Sequence, residues 1–497
     1  MYREVIEMAE MEQKTTNNPE PATVTTEVSI LDKLKEIVGD ARVSDSELER
    51  VVYSGDPSSL PQYHYRWKGK YLADYVVRVE NVNEIQEVLK VAHQNKLPII
   101  PRGGASSCMG SSSPTHGGIS LDMKTMDKVL EINKKSMFVR VEPGVTFERL
   151  GNELEKEGLT LGIYPSSAKS AVIGGWIACG GRGGIGTPLY GTLKEHTTSL
   201  SVLRSDGSLQ TVEGNDIDLF LQSYGILGII VEVTLKVHEI PSGYKTFSYC
   251  FHDLERLCIS MMEVAKLEKK PLYLNIADSE LQKYSNPMEK GRYVLTVTYI
   301  DEPDFIPLSK LESITGNYDG TYLGDEFSEK EWELRHDVEF NPKEHTETLM
   351  FQEFWMPIDK VHEMLSSYES YRESHKIPAL WFGMLGTPKE MRLELMAMID
   401  AEHYLKFIAS KGILHKMMKK AIKLGGGPYT IGLQNSIYMS RAYPDRLSRM
   451  KEAKAKWDPE GVMNPDKVTD CMTSFRRIDF LFLLATAFRR LSRYVGK

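Results

Sequence analysis

Glycine is the residue whose placement in this chain most constrains its chemistry. Between Gly174 and Gly191, eight of 18 residues are glycine (174, 175, 180, 181, 183, 184, 186 and 191), whereas the usual frequency of about 7% predicts one or two. Holding glycine in place costs conformational entropy, so this density needs a reason. Backbone amides stripped of side chains can approach an anionic or planar ligand closely. A second candidate lies upstream in Pro101-Arg102-Gly103-Gly104-Ala105-Ser106-Ser107. Consecutive amide donors and two hydroxyls suit a pyrophosphate, and a bulky residue at 104 is expected to occupy the phosphate space. A tight turn is the alternative for each loop. Gly181-Arg182-Gly183-Gly184-Ile185-Gly186 also matches Gly-x-Gly-x-x-Gly. That fingerprint needs a strand before it and a helix after it, and Pro188 and Gly191 argue against the helix.

The elements that must carry these loops alternate. Tyr75–Val79 reads as a strand, Val82–Asn95 as an amphipathic helix and Leu97–Ile100 as a strand; further strands are predicted at Ile119–Met123, Val129–Ile132, Phe138–Val141, Leu200–Leu203, Leu209–Val212 and Gly228–Val237. Asp206-Gly207 is a hairpin turn, and Pro241-Ser242-Gly243 marks a boundary. A long helix is predicted around Ala401–Lys423. At 497 residues the chain exceeds a single core, and the expected division is an arm over 1–30, a first domain over 31–240, a second over 241–425, a returning segment over 426–470 and a tail over 471–497.

Composition excludes several classes. A net charge of −8 argues against nucleic acid as a partner. Five scattered cysteines without a Cys-x-x-Cys pair make neither a disulfide framework nor a zinc site, and fit a reducing cytoplasm. The first residues lack a signal-peptide pattern. The tail carries six cations against Asp479, a net +5, around Phe480–Phe488. That apolar run is too short to span a bilayer but suits peripheral contact with an anionic membrane, or docking on protein.

Several motifs together resemble a known family. Pro101–Ser107, Val141-Glu142-Pro143-Gly144-Val145, Pro165-Ser166-Ser167 with Ile173-Gly174-Gly175, Tyr190-Gly191, and Ser223-x-Gly225-x-x-Gly228-Ile229-Ile230 resemble the vanillyl-alcohol oxidase and p-cresol methylhydroxylase (PCMH-type) flavoproteins. Trp332-x-x-Arg335, Glu353-x-x-x-Pro357 and Trp457–Pro465 resemble the branch of glycolate oxidase flavin subunits and D-lactate dehydrogenases. The resemblance implies an α+β fold, with an FAD-binding domain of two α+β subdomains and an α+β cap. It implies FAD contacts at Pro101, Arg102, Gly103, Gly104, Ala105, Ser106, Ser107, Pro165, Ser170, Gly174, Gly175, Ala178, Gly180, Gly181, Gly184, Tyr190, Gly228, Ile230 and Asn464.

The family's covalent members carry a histidine beside the first glycine pair, where this chain has Ala105 and Ser106; noncovalent FAD is expected. The hydroxy-acid branch carries metal-binding histidines, and their places are taken by Pro378–Gly383 and Gly427–Gly432, so no metal is expected. Arg335 as a carboxylate fork and Tyr429 as a proton acceptor are the catalytic candidates. The function implied is hydride transfer from a small hydroxylated substrate to flavin, with a D-2-hydroxy acid such as lactate or glycolate first. An external acceptor such as a quinone would then reoxidise the flavin. Sugar, alditol or lactone oxidation, C=C reduction and a noncatalytic FAD-holding subunit are the alternatives.

Overall fold

Asn81 opens the first long helix, Val82–Asn95, its side chain accepting from the Glu84 amide at 3.0 Å, a local stop on the preceding strand that leaves Ile85, Val88, Leu89 and Ala92 on one buried face. The computed structural model describes residues 28–59, 71–180, 183–302, 308–375, 378–399, 404–471, 476–477 and 480. Gly181 and nearly all of the basic tail lie outside the described residues.

Three sheets organise the chain. The first contains β1 (Val43–Ser44), β2 (Tyr75–Arg78), β3 (Ile99–Arg102) and β4 (Ile119–Asp122) in the order β1-β2-β4-β3. β2 and β3 both run parallel to β4, so the helix Val82–Asn95 is a βαβ crossover. β3 delivers Arg102 directly into the Gly103-Gly104 loop. The second sheet is antiparallel, with β5 (Val129–Asn133), β6 (Phe138–Val141), β8 (Thr197–Leu203), β9 (Leu209–Glu213) and β10 (Ile229–Lys236) in the order β5-β6-β10-β8-β9. Two short strands, β7 (Leu159–Thr160) and β11 (His238–Glu239), pair beside it. Pro188 does not exclude a helix. It sits in the first turn of Thr187–Tyr190, where a missing N–H leaves no bond unmade, and the helix ends after that turn at Gly191.

The third sheet has eight antiparallel strands: β12 (Tyr244–Phe251), β13 (Tyr273–Asp278), β14 (Tyr293–Ile300), β15 (Thr321–Tyr322), β16 (Thr348–Pro357), β17 (Ala379–Thr387), β18 (Glu390–Ile399) and β19 (Gly427–Pro428), ordered β15-β12-β14-β13-β17-β18-β16-β19. Alternate residues separate its two faces. Phe354, Met356, Leu393 and Leu395 pack with residues of the helices Leu254–Ala265, Val361–His375 and Tyr404–Lys423. Phe351, Phe382, Met384 and Met396 share the opposite core with Met109 and Ile185 from the first part of the chain. After the helix Pro444–Trp457 the chain returns to the first sheet, where Met463 bridges Ile99 and Val462 accepts from the Ile99 amide.

Candidate active site

A cleft with about 1300 Å³ of open space, mouth included, lies between the first two sheets and the eight-stranded sheet. Its floor is built from Pro101–Cys108, Pro143, Pro165–Ser167, Gly174–Trp176, Ala178–Gly180, Tyr224 and Gly228–Ile230. Its roof is Glu339, Phe340, Glu353, Arg392, Glu394, Tyr429 and Thr430.

The floor explains the glycines. A Cβ on Gly103 would lie 2.4 Å from Val172 Cγ2, and one on Gly174 would lie 2.5 Å from Pro143 Cβ, so the side chains of Val172 and Pro143 pack directly on the glycine backbone. At Gly104 the Cβ would meet Ser170 O at 2.1 Å. The expectation that a side chain there would fill phosphate space is therefore corrected, because the position points at the neighbouring loop. Ala105 has φ +50°, a left-handed conformation that gathers successive amides into an anion-binding nest. Among the described residues, the amides of Gly104, Ala105, Ser106 and Ser107 have no protein acceptor. Arg102 borders this loop, donating to Gly55 O at 2.7 Å and Ser112 Oγ at 3.0 Å; burial lowers its pKa. Four free amides, a nest and a cation match a dinucleotide's pyrophosphate, so the residues present fit FAD.

Fifteen of the predicted positions line the cleft: Pro101 to Ser107, Pro165, Gly174, Gly175, Ala178, Gly180, Gly228, Ile230 and Tyr429. Five described positions do not. Ser170 supports Gly104 through its carbonyl. Gly184 donates to Thr187 Oγ1 at 2.7 Å, and Tyr190 packs on Gly162 and His238. Asn464 braces the floor from behind, donating to Tyr224 O at 2.6 Å and Ser111 O at 3.3 Å. Arg335 lies 4.1 Å from the Trp332 ring centre and donates to Trp332 O and Tyr164 Oη, so its guanidinium holds protein rather than lining the cleft.

The roof supplies what the motifs missed. On the cleft face of the eight-stranded sheet, Glu353 of β16 stands directly opposite Glu394 of β18, and Arg392 opposite Trp355. Arg392 pairs closely with Glu339 and lies 3.5 Å from Glu353 and 3.6 Å from Glu394. All four charged groups are buried. Burial raises the pKa of Glu353 and raises that of Glu394 well above the carboxylate range, with Glu339 adding to the rise in both. Burial opposes the charge on Arg392, but Glu339, Glu394, Tyr429 and Glu353 outweigh it and raise its pKa. Ser166 donates to Glu339 at 2.9 Å and Thr430 donates to Glu353. The turn bearing Thr430 is pinned to the floor: Tyr429 Oη donates to Gly183 O at 2.8 Å, Gln222 donates to Tyr429 O, and Tyr224 Oη accepts from the Ile431 amide at 2.6 Å. The signal in the sequence was faint, charged residues at alternate positions of β18 and a single one, Glu353, in the otherwise uncharged β16. Among the described residues no group of three His, Cys, Asp or Glu is placed to hold a metal ion.

Fold and cleft together define a flavoprotein oxidoreductase. Residues 73–213 match the FAD binding domain family and residues 267–468 match the C-terminal domain of FAD linked oxidases. The chain is 24% identical over 465 residues to a glycolate oxidase subunit of Bacillus subtilis, covering 88% of this chain and 96% of that one. It is 23% identical over 469 residues to a probable mitochondrial D-lactate dehydrogenase of Danio rerio, covering 89% and 92%. The structure of p-cresol methylhydroxylase superposes with a TM-score of 0.74 at 14% identity, covering 91% and 99%. An alkyldihydroxyacetonephosphate synthase superposes at 0.71 and 18%, covering 91% and 86%. The two superpositions speak to fold alone. The chain belongs to the FAD-linked oxidase family with the PCMH-type fold, and it is an FAD-dependent oxidoreductase.

Proposed function

We propose that this enzyme dehydrogenates the carbinol carbon of a small hydroxylated substrate, with Glu353 as the proton acceptor. The observation that carries the reading is the facing pair Glu353 and Glu394 beside Arg392 on the cleft roof. FAD, when bound, supplies the two-electron acceptor. Two carboxyls with pKa values pushed apart take opposite roles. Glu394, held protonated by burial, donates a hydrogen bond to the substrate. Glu353, nearer its ionised form through Arg392 and Thr430, takes the hydroxyl proton at a carboxylate oxygen. The names of the relatives put D-2-hydroxy acids such as glycolate and D-lactate first, and sugars, alditols or lactones second. Anaerobic bleaching of the purified yellow protein by such a panel tests this. Glu353→Gln should retain FAD and slow bleaching by about 10²- to 10⁴-fold; wild-type rates in that variant would sink the assignment.

The remaining parts of the proposal rest on sequence. The FAD-binding domain over 31–240, the cap over 241–425 and the segment 426–470 form the enzyme, with FAD held noncovalently. Reoxidation by a quinone or another external acceptor, residence in the cytoplasm and peripheral membrane contact through the basic tail are supported by composition. Among the described residues no helix is long and apolar enough to cross a membrane. Sedimentation with anionic vesicles, comparing the whole chain with one ending at Asp470, should show binding by the whole chain only. Equal binding by both would remove the tail's role.

A further inference from the structure

The roof of the cleft has unequal charge. Its carboxyls Glu339, Glu353 and Glu394 surround Arg392. Among the described residues lining the cleft, the other cation is Arg102, which belongs to the nest at the phosphate loop and is bonded to Gly55 and Ser112. Arg392 is thus neutralised before a substrate arrives. A second observation concerns unmade hydrogen bonds. Glu394 is 2% exposed and Arg392 4%, yet Glu394 Oε2 and Arg392 Nε have no hydrogen-bond partner. The two residues are two positions apart on β18, hence on one face. They offer a carboxyl oxygen and an N–H donor.

A carboxylate ligand has acceptors only. It could accept from Arg392 Nε and from the protonated Glu394, but it would add a negative charge beside Glu339 and Glu353, which already share the single cation Arg392 in a buried site. It would enter most readily with Glu353 protonated, and Glu353 would then be spent as the proton acceptor. A hydroxyl oxygen has two lone pairs, and so can accept from both Arg392 Nε and the protonated Glu394 without adding charge.

We infer that the substrate is an uncharged polyhydroxyl compound, of the sugar or alditol class, with one hydroxyl held between Arg392 and Glu394 beside the hydroxyl that is oxidised. The inference rests on the dehydrogenase reading and selects among its substrates. A hydroxy acid is selected against by repulsion from Glu339 and Glu353, which share the single cation Arg392.

The test uses the holoprotein under anaerobic conditions. Xylitol, sorbitol and glucose are compared with D-lactate and glycolate, reading the perturbation of the oxidised flavin spectrum for binding and bleaching for turnover. At least one polyol is expected to bind and bleach about 100-fold more efficiently than either hydroxy acid. Glu394→Met, which removes the hydrogen-bonding group at similar volume, is expected to weaken polyol binding about 10-fold or more with FAD content unchanged. Residual hydroxy-acid binding should weaken as pH rises through the Glu353 titration, while polyol binding keeps no such dependence. Bleaching by D-lactate or glycolate with every polyol inert overturns the inference and leaves the dehydrogenase standing. Polyol binding without bleaching supports the ligand class and counts against the dehydrogenase. If none of the polyols binds, the inference fails.

Discussion

Gly104 shows how a cofactor loop can depend on contacts outside the cofactor. Because its Cβ would press on Ser170 O at 2.1 Å, Gly104→Val should separate two loops that share the floor. Loss of FAD and a lower melting temperature are therefore expected together. The ratio of flavin to protein absorbance and a thermal melt check this; a variant that keeps full FAD and wild-type stability would refute the packing role. Arg335 makes the opposite case. With its guanidinium over Trp332 and bonded to Tyr164 Oη and Trp332 O, Arg335→Met should cost about 0.5–2 kcal/mol of stability. Its bleaching rate should stay within about twofold of wild type, since rim contacts of this kind shift stability more than chemistry. A large fall in bleaching with unchanged stability would return Arg335 to the site.

At the scale of elements, the helix Asp325–Glu333 is fastened through Glu331, which accepts from Asn286 Nδ2 at 3.0 Å and Gln282 Nε2 at 3.2 Å. Among the described residues no cation pairs with it, and burial pushes its pKa up to about 7 from 4.5. The folded protein then holds a proton that the unfolded chain releases at lower pH. The resulting stability is present in full below about pH 4.5 and is lost as pH rises through about 7. Glu331→Gln, which cannot ionise, should remove that dependence. Relative to the variant, wild type should lose roughly 3 kcal/mol between pH 4.5 and 8, at about 1.4 kcal/mol per unit. Denaturant melts at both pH values measure it, and parallel pH profiles would show that Glu331 ionises normally. The sheet teaches a related lesson. β16 and β18 set Glu353 against Glu394 by register alone, and a slip of one residue would send every one of these side chains to the helix-covered face.

Over the whole molecule, the late C-terminal segment closes on the glycine loop of the first sheet. The segment after Trp457 returns to β3, and Asn464 and Lys467 grip the loop after Ser107: Asn464 donates to Ser111 O, and Lys467 Nζ donates to Ser113 O at 2.8 Å. Lys467 is 1% exposed, and burial lowers its pKa to about 8. Lys467→Met removes the bond to Ser113 while filling similar volume, and should raise the dissociation constant for FAD about 10-fold or more. Reconstitution of the apoprotein followed by flavin fluorescence quantifies this. Unchanged affinity would confine the segment to a packing role. FAD itself should leave the polypeptide on acid precipitation, giving a colourless pellet. A pellet that stays yellow would demonstrate a covalent bond.

What was legible in the sequence is what short-range order encodes. The helix Val82–Asn95, the strands bearing the glycine loops and the loop from Pro101 to Ser107 could be read because their chemistry depends on neighbours a few residues away. Those loops by themselves suggested an anionic or planar ligand, and the resemblance to the PCMH-type flavoproteins implied FAD. The roof was not legible. Glu390-Met391-Arg392-Leu393-Glu394-Leu395 alternates polar and apolar residues, which by itself describes a strand with one face in water. Tertiary structure covers that polar face with the floor of the cleft, brings Glu339 and Glu353 to Arg392 across 53 and 39 residues of chain, and leaves the group buried. Burial then raises both carboxyls, and Arg392 with Thr430 holds Glu353 nearer its ionised form, an arrangement that arises only when the two halves of the molecule close on each other.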